Sequence, residues 1–249
     1  MRSPKALAAA VVRRIVCPFV PPRKMLPFMC WLNRMSTDYD PYIAHLDLFS
    51  AADRNAVDIG ANVGFYTYIL SERFRRVFAF EINDEITGWI KQYDSGNIEL
   101  ADCGLSSAKG TAKLHLPVTR GFTISGYGTL HPNTLPEADR YIEKICRISP
   151  LDDFSIEDIG FIKIDVEGHE LEVLKGAAKS IARSRPAILV EVRTFNEIAV
   201  DDWFKHLDYR QCRFDPQDRL VVINGFLPST GDCLYLPSER LGEFGLTTQ

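Results

Sequence analysis

Residues 57–64 have the sequence Val-Asp-Ile-Gly-Ala-Asn-Val-Gly, in which a glycine-rich turn follows directly behind a short apolar run. The run at residues 56–59 has the length of a buried strand, and residues 65–73 have the apolar spacing of a helix. Gly60 and Gly64 allow the backbone to turn tightly and to approach a ligand closely. In sheets built from such strand–turn–helix units, ligands bind beyond the carboxyl ends of the strands.

The same alternation of strands and helices continues along the chain, which predicts the α/β class. The predicted sheet is twisted and mostly parallel, with helices on both faces. Strands are predicted at residues 77–80, 98–101, 111–116, 161–164, 187–192, 219–223 and 233–236. Helices are predicted at residues 42–53, at 85–93 and from Gly168 to Pro186, with an interruption at Gly176. Residues 117–140 are rich in Gly, Thr, Ser and Pro and are predicted to form one long loop.

The N-terminal part of the chain differs from the rest. Residues 17–41 contain five prolines and are predicted to be irregular, which divides the chain into a leader at 1–41 and a domain at 42–249. The apolar run at 6–12 is flanked by basic residues and is too short to span a bilayer. Two interpretations remain open: an ordinary surface helix or frayed leader, and a basic amphipathic helix on a membrane surface. The predicted location is the cytoplasm, with the inner membrane surface as the alternative.

Charge and cysteine usage restrict the partners of the protein. The net charge of −4 over 249 residues gives no sign of a nucleic-acid binder, so none is predicted as a partner. The six cysteines are scattered without paired spacing, which disfavours a zinc site or a disulfide framework. The oligomeric state cannot be derived from these features.

An acidic residue stands directly before the glycine turn. The spacing from Gly60 to Gly64 is G-x-x-x-G, which differs from the G-x-G-x-x-G of dinucleotide-binding turns. The carboxylate of Asp58 would repel a pyrophosphate and attract an ammonium group. S-adenosylmethionine carries an ammonium group as well as a sulfonium, and the sequence favours it as the cofactor.

A second acid, Glu81, closes the strand predicted at residues 77–80. A carboxylate in this position can accept hydrogen bonds from both hydroxyls of a ribose. Dinucleotide enzymes and methyltransferases both use this device, so Glu81 indicates a nucleoside ligand without distinguishing the two.

A third cluster lies where the strand at residues 161–164 leads into a helix. Asp165, Glu167 and His169 are of metal-ligating types, but they lack a distinctive ligand spacing, and no metal is predicted. His169 is interpreted either as a catalytic group or as a histidine satisfied by backbone groups. Glu191 closes the next strand and is a further candidate for the cleft.

Five runs in this order resemble the FkbM family of methyltransferases. They are VDIGANVGFYT (57–67), FAFEIN (78–83), SPLDDF (149–154), FIKIDVEGHELEVLKGA (161–177) and ILVEV (188–192). The resemblance implies a Rossmann-like class I methyltransferase fold and methyl transfer from S-adenosyl-L-methionine, usually to a hydroxyl oxygen. It implies a small-molecule or glycan acceptor, such as a sugar, a polyketide or another natural product.

The resemblance also implies roles for individual residues. The methionine part of the cofactor would be held by Asp58, Gly60, Asn62 and Gly64. The ribose would be bound by Glu81, and the adenine would lie beside Asp102 and Cys103. The site of methyl transfer would be bordered by Asp165 and Glu167. Residues 125–130 would line the acceptor pocket. A general base would activate the acceptor hydroxyl, and the candidates in order are His169, Asp165 and Glu191.

Two other functions remain as alternatives. A nicotinamide-dependent oxidoreductase is disfavoured by the G-x-x-x-G spacing and by Asp58. A scaffold that binds the nucleoside but transfers nothing is expected to have a damaged cofactor turn, and the turn here is intact.

Overall fold

An eight-stranded sheet forms the centre of the protein. The computed structural model describes residues 16–34, 41–93, 95–120, 122–123, 128–131, 137–193, 195–223 and 231–246. The helices are α1 Pro22–Arg34, α2 Pro41–Ala44, α3 Phe65–Ser71, α4 Gly88–Gln92, α5 Glu170–Gly176, α6 Ala178–Ser184 and α7 Glu197–His206. The strands are β1 Ala51–Ile59, β2 Phe74–Phe80, β3 Ile98–Ala101, β4 Gly104–Leu105, β5 Gly110–Thr119, β6 Phe122–Thr123, β7 Arg140–Ser149, β8 Ile159–Ile164, β9 Ala187–Val192, β10 Tyr209–Phe214, β11 Leu220–Val222 and β12 Gly231–Pro237. Short 3-10 helices occur at Cys17–Phe19, Leu46–Phe49, Leu151–Phe154 and Ser238–Phe244.

The strand order of the large sheet is β11-β10-β12-β9-β8-β1-β2-β3. Strands β1, β2, β3, β8 and β9 pair in parallel, and β12 runs antiparallel to both of its neighbours. Alternate residues of β9 face opposite sides: Ile188 and Val190 pack with α5, α6 and α7, whereas Ala187 and Leu189 pack with α3. Helices therefore cover both faces, and the predicted fold class is confirmed.

A second sheet has the strand order β4-β7-β5-β6 and consists mainly of the long antiparallel pair β5 and β7. It contradicts the prediction of one long loop at residues 117–140, because Pro117 pairs with Tyr141 and Val118 with Arg140. Most side chains of β7 are exposed, so the strand lacks the apolar alternation that predicts a half-buried strand.

Helix α1 contradicts the prediction of an irregular segment at residues 17–41. Pro22 occupies the first position of the helix, where the missing N–H costs nothing, whereas Pro27 lies inside it. Leu26 and Cys30 are buried together with Ile90 of α4. Packing of this face against the core offsets the cost of the internal proline. The division of the chain between residues 41 and 42 stays a prediction.

Other element boundaries differ from the prediction in detail. Strand β1 begins at Ala51, so the helix predicted at residues 42–53 is reduced to α2 and the turn at Leu46–Phe49. Helix α7 and strand β10 were not predicted. Within the described part of the chain, no helix is long and apolar enough to cross a membrane.

The helix predicted after Gly168 is interrupted, as expected. Helices α5 and α6 are separated at Ala177, next to Gly176. A Cβ atom at Gly176 would lie 2.0 Å from the carbonyl oxygen of Ser106. The glycine therefore allows α5 to lie against the backbone that follows β4.

Substitution of Gly176 tests this close approach. Because the opposing atoms belong to the backbone and cannot rotate away, Gly176→Ala is expected to lower the free energy of unfolding by roughly 1–3 kcal/mol or more. Urea unfolding followed by circular dichroism measures the change.

Gly88→Ala is the matched control, since its Cβ would meet only the Gln92 side chain at 3.9 Å. Alanine is a better helix former than glycine, so this variant is expected to be unchanged or slightly more stable. Equal stability of the two variants would contradict the tight contact at Gly176.

Candidate active site

The turn after β1 has a backbone conformation that explains its residue types. Gly60, Asn62 and Gly64 have φ angles of 81°, 52° and 98°, in the left-handed region that glycine and, less often, asparagine adopt. A Cβ atom at Gly60 would lie 1.8 Å from the carbonyl oxygen of Asp165. The N–H of Asp165 in turn donates to the carbonyl of Ile59 at 2.9 Å. The turn is thus fixed against the end of β8.

Glu81 is held rigidly at the carboxyl end of β2. Its two carboxylate oxygens accept the N–H groups of Asn62 at 2.7 Å and of Asn83 at 2.8 Å. Burial raises the pKa of Glu81, and these backbone hydrogen bonds oppose the shift. The carboxylate is therefore preoriented at the edge of the glycine turn.

A first cleft opens above this turn. Its polar lining includes Asn62, Glu81, Asp165, Glu167 and His169. Apolar side chains complete the walls: Leu105 and Leu114 come from the second sheet, and Ile82 and Leu130 from segments between strands. Apolar walls with a few fixed polar groups are typical of small-molecule and cofactor sites.

A second cleft lies on the other side of the turn. Gly60, Asn62 and Asp165 line both clefts, so the two meet at the carboxyl ends of β1 and β8. Asn33 of helix α1 and Lys163 of β8 contribute to the second cleft alone. An elongated ligand can cross the turn and reach into both.

Two buried charged groups lie at the base of the second cleft. Asp58 accepts a hydrogen bond from the Thr67 hydroxyl at 2.5 Å, and burial raises its pKa to about 6. Lys163 is 2% exposed, and its ammonium group lies 2.5 Å from a carboxylate oxygen of Asp232. The positive charge of Lys163 lowers the pKa of Asp58 and limits the effect of burial.

His169 is held by side chains on both ring nitrogens. Nδ1 lies 2.9 Å from Nε2 of His131, and Nε2 lies 2.9 Å from the Ser106 hydroxyl oxygen. Burial, with a contribution from His131, lowers the pKa of His169 to about 4. The imidazole is neutral at physiological pH and is a weak base.

Acidic groups surround Arg193 at the end of β9. Its guanidinium donates to the carboxylate of Glu167 and lies 3.7 Å from that of Glu191. Burial raises the pKa of Glu191 to about 7, and the negative charge of Asp165 adds to the shift. Glu191 therefore holds its proton more tightly than an isolated carboxyl group.

Glu170 has a structural role. It is fully buried, with one carboxylate oxygen accepting the N–H of Gly168 at 2.7 Å and the other accepting the Asn196 amide at 3.0 Å. These bonds fix the turn that carries Glu167 and His169.

The structure brings together most of the residues predicted for the site. Those that line at least one cleft are Asp58, Gly60, Asn62, Glu81, Asp165, Glu167 and His169. Those that line neither cleft are Gly64, Asp102, Cys103 and Glu191.

The residues outside the clefts have other contacts. Gly64 packs against Leu26 and Ile90, and Asp102 forms an ion pair with Lys91 at 3.0 Å. The roles assigned to Asp102 and Cys103 beside the adenine stay predictions. Of the predicted acceptor segment, residues 125–127 lie outside the described residues, whereas Gly128 and Leu130 line the first cleft.

Several site residues were not predicted from the sequence. Ser106, His131 and Arg193 contact the cleft residues from distant positions in the chain, and Asn33 belongs to a segment predicted to be irregular. Across the part of the chain that the structure describes, no group of three or more His, Cys, Asp or Glu side chains is arranged to hold a metal ion.

The strand order, the glycine turn after β1 and the acid closing β2 together define the Rossmann-like fold of class I methyltransferases. Residues 58–215 match the methyltransferase FkbM domain, and the chain belongs to this family.

Known proteins with similar sequences are methyltransferases. The chain is 30% identical over 138 residues to the hexuronic acid methyltransferase AglP of Haloferax volcanii. The matched region covers 54% of each of the two proteins. It is 28% identical over 165 residues to the methyltransferase sdnD of Sordaria araneosa. This matched region covers 48% of this chain and 59% of that protein. The chain thus spans little more than half the length of these relatives.

A solved structure shows the same fold. The crystal structure of methyltransferase FkbM from Methylobacillus flagellatus KT superposes with a TM-score of 0.50 at 17% identity, covering 92% of this chain and 60% of that one.

The buried charge of Asp58 predicts a pH-dependent effect on stability. The carboxyl titrates near 3.8 in the unfolded chain and near 6 in the folded protein, so its ionisation destabilises the fold progressively as pH rises through this window. Asp58→Asn is expected to raise the free energy of unfolding at pH 8 by roughly 1–3 kcal/mol, and at pH 4 by much less. Urea unfolding at both pH values measures the difference.

Glu99→Gln provides the control, because Glu99 is an exposed acid on β3 that pairs with Arg76. Its substitution is expected to change stability by less than about 1 kcal/mol at either pH. A stabilisation of Asp58→Asn that is the same at pH 4 and pH 8 would show that Asp58 carries no buried charge.

Proposed function

We propose that this protein is an S-adenosyl-L-methionine-dependent O-methyltransferase. The proposed acceptor is a hydroxyl group of a sugar, a glycan or another natural product. The observation that carries the proposal is the pair of clefts that meet at Gly60, Asn62 and Asp165, with Glu81 on one side and Asp58 on the other. An elongated cofactor with a nucleoside at one end and an amino acid at the other fits this arrangement.

The residues of the first cleft fit the adenosine part. The carboxylate of Glu81, preoriented by two backbone N–H groups, would accept hydrogen bonds from the ribose hydroxyls. Ile82 and Leu105 offer apolar surfaces to the adenine ring. Gly60 approaches the carbonyl of Asp165 so closely that no side chain fits there, and the path between the two clefts is therefore not blocked by a side chain at this position.

The residues of the second cleft fit the methionine part. Asp58 and Asp165 would attract its ammonium group, and the surrounding carboxylates complement the sulfonium charge. The bound cofactor would supply an electrophilic methyl carbon. The contribution of the protein is to align the acceptor oxygen with that carbon and to remove the proton of the hydroxyl.

We propose that the base is a carboxylate of the pair Asp165 and Glu191, in preference to the first candidate His169. The imidazole has both nitrogens engaged and a pKa of about 4, so it holds a proton weakly. Asp165 lies where the clefts meet, and Glu191 has a pKa near the operating pH. A carboxyl group with a pKa of about 7, as in Glu191, suits deprotonation of an alcohol at neutral pH.

The name of one relative supports a polar acceptor. AglP is named as a hexuronic acid methyltransferase, whereas the name of sdnD specifies no acceptor. We propose a uronic acid or a related sugar as the first acceptor to test. We also propose that the protein works in the cytoplasm at the inner surface of a membrane, because residues 1–20 are basic and partly apolar.

Calorimetric titration with S-adenosylhomocysteine tests the cofactor site. Glu81→Ala and Asp58→Ala are each expected to weaken binding at least about tenfold, because each leaves a polar group of the ligand without its partner. Glu99→Gln serves as the control and is expected to bind like the wild type, since Glu99 lies in an exposed ion pair.

The same titration separates the rival functions. Binding of NAD in place of S-adenosylhomocysteine would favour the oxidoreductase. A folded wild-type protein that binds neither compound would refute the proposal. Binding without transfer to any acceptor would support the scaffold.

The pH dependence of turnover tests the base. With labelled S-adenosylmethionine and a panel of uronic acids and neutral sugars, kcat is expected to rise as pH increases through about 7, because the base acts when deprotonated. Glu191→Gln is expected to lower kcat about 10²-fold or more and to remove this rise.

His169→Ala is compared in the same assay, and its kcat is expected to keep the pH dependence of the wild type. A profile that is flat from pH 6 to 9 in the wild type, together with loss of turnover in His169→Ala, would instead assign the base to His169.

A further inference from the structure

Helix α1 and the turn before it carry exposed aromatic and basic side chains. Phe19 is 84% exposed and Trp31 is 53% exposed. The rings of Phe28 and Trp31 stack with their centroids 5.9 Å apart. Arg23 and Lys24 are exposed on the first turn of the helix. These five residues are called the basic-aromatic face.

The opposite face of α1 is anchored to the core. Leu26, Met29 and Cys30 are buried. Leu26 lies beside Gly64 of the glycine turn after β1 and beside Ile90 of α4. The helix therefore has a fixed orientation, and its exposed aromatic rings cannot turn inward. Large apolar side chains in such a position indicate an interaction surface.

The distribution of charge along the chain indicates what this surface contacts. The first 37 residues contain seven arginine and lysine residues and no aspartate or glutamate. The remaining residues contain 22 basic and 33 acidic side chains. An anionic surface would attract the N-terminal part and repel the rest, so it would orient the molecule with α1 towards it.

We propose that the basic-aromatic face docks on the surface of an anionic lipid bilayer. Phe19, Phe28 and Trp31 would enter the interface at the level of the headgroups, where amphipathic aromatic rings are favoured. Arg23 and Lys24 would contact the anionic headgroups. The helix has 13 residues and a length of about 20 Å, so it lies along the surface and does not cross the bilayer.

Docking in this orientation bears on the proposed site. Asn33, on the same helix, lines the second cleft together with Ile43. The second cleft, which we propose holds the methionine part of the cofactor, is therefore adjacent to the membrane-facing helix. The anionic bilayer is thus the partner at the membrane location proposed above. Docking on it does not depend on methyl transfer.

Sedimentation with vesicles tests the proposal on the full chain. The wild type is expected to partition at least about tenfold more strongly onto phosphatidylcholine vesicles that contain phosphatidylglycerol than onto pure phosphatidylcholine. The double variant Phe19→Ala and Trp31→Ala is expected to lose about tenfold or more of this partitioning. The variant Arg23→Gln and Lys24→Gln is expected to lose the preference for the anionic vesicles.

The matched control replaces two apolar side chains of similar exposure elsewhere on the surface. Leu48 is 53% exposed and Ile145 is 64% exposed, and Leu48→Ala with Ile145→Ala is expected to partition like the wild type. Equal partitioning of the aromatic double variant and the wild type would overturn the proposal, as would equal loss in the control.

Tryptophan fluorescence provides a second readout. The chain has three tryptophans, and docking is expected to shift the emission of Trp31 to shorter wavelength when anionic vesicles are added. Trp31→Phe is expected to bind the vesicles but to lose this shift. A shift that persists in Trp31→Phe would show that another part of the protein enters the bilayer.

Two further measurements separate the other outcomes. A wild type that is dimeric by light scattering, with a monomeric Trp31→Ala, would show that a second copy covers the face and would overturn the proposal. Titration with S-adenosylhomocysteine is expected to be the same for the wild type and all these variants. Absence of this binding in every protein would refute the cofactor site and leave the vesicle result unaffected.

Discussion

The contact between Gly60 and the carbonyl of Asp165 is the constraint on which the site depends. It joins the ends of the two adjacent central strands β1 and β8, so closely that no side chain fits between them. The turn that follows β1 can then direct its N–H of Asn62 towards Glu81 on β2. The ends of β1 and β8 are thus fixed relative to each other by backbone atoms, and the side-chain carboxylate of Glu81 joins the end of β2 to the same turn.

Electrostatic balance is the second property of the site. The carboxyl groups of Asp58, Asp232 and Glu191 outnumber the ammonium group of Lys163, which pairs with Asp232 and lowers the pKa of both Asp58 and Glu191. The resulting excess of negative charge destabilises the protein alone and complements a cationic ligand. A site of this kind trades stability for binding, as expected where function requires buried charge.

The sequence predicted those features in which local pattern and chemistry coincide. Gly60 and Glu81 were found because each stands directly at the end of an apolar strand, where the topology brings ligand-binding groups together. Ser106 and His131 were not, because their contacts with His169 span 63 and 38 positions and leave no periodic signal.

Helix α1 and strand β7 were not predicted, for different physical reasons. In helix α1 the internal Pro27 obscures a helical pattern that tertiary packing nevertheless stabilises. In β7 the exposed side chains remove the alternation, and the strand is defined by its pairing with β5. In both cases contacts between distant segments outweigh local preference, which a single sequence cannot show.

The hairpin of β5 and β7 forms one wall of the first cleft. This wall comes from a different segment of the chain than the floor of the cleft. Leu114 and Leu130 reach the cleft from this hairpin and its connection, whereas the polar floor comes from the central strands. The hairpin can therefore change in length or composition without disturbing the turn that holds Glu81. A substitution in the hairpin would therefore change the shape of the cleft wall and leave the polar groups of the floor in place.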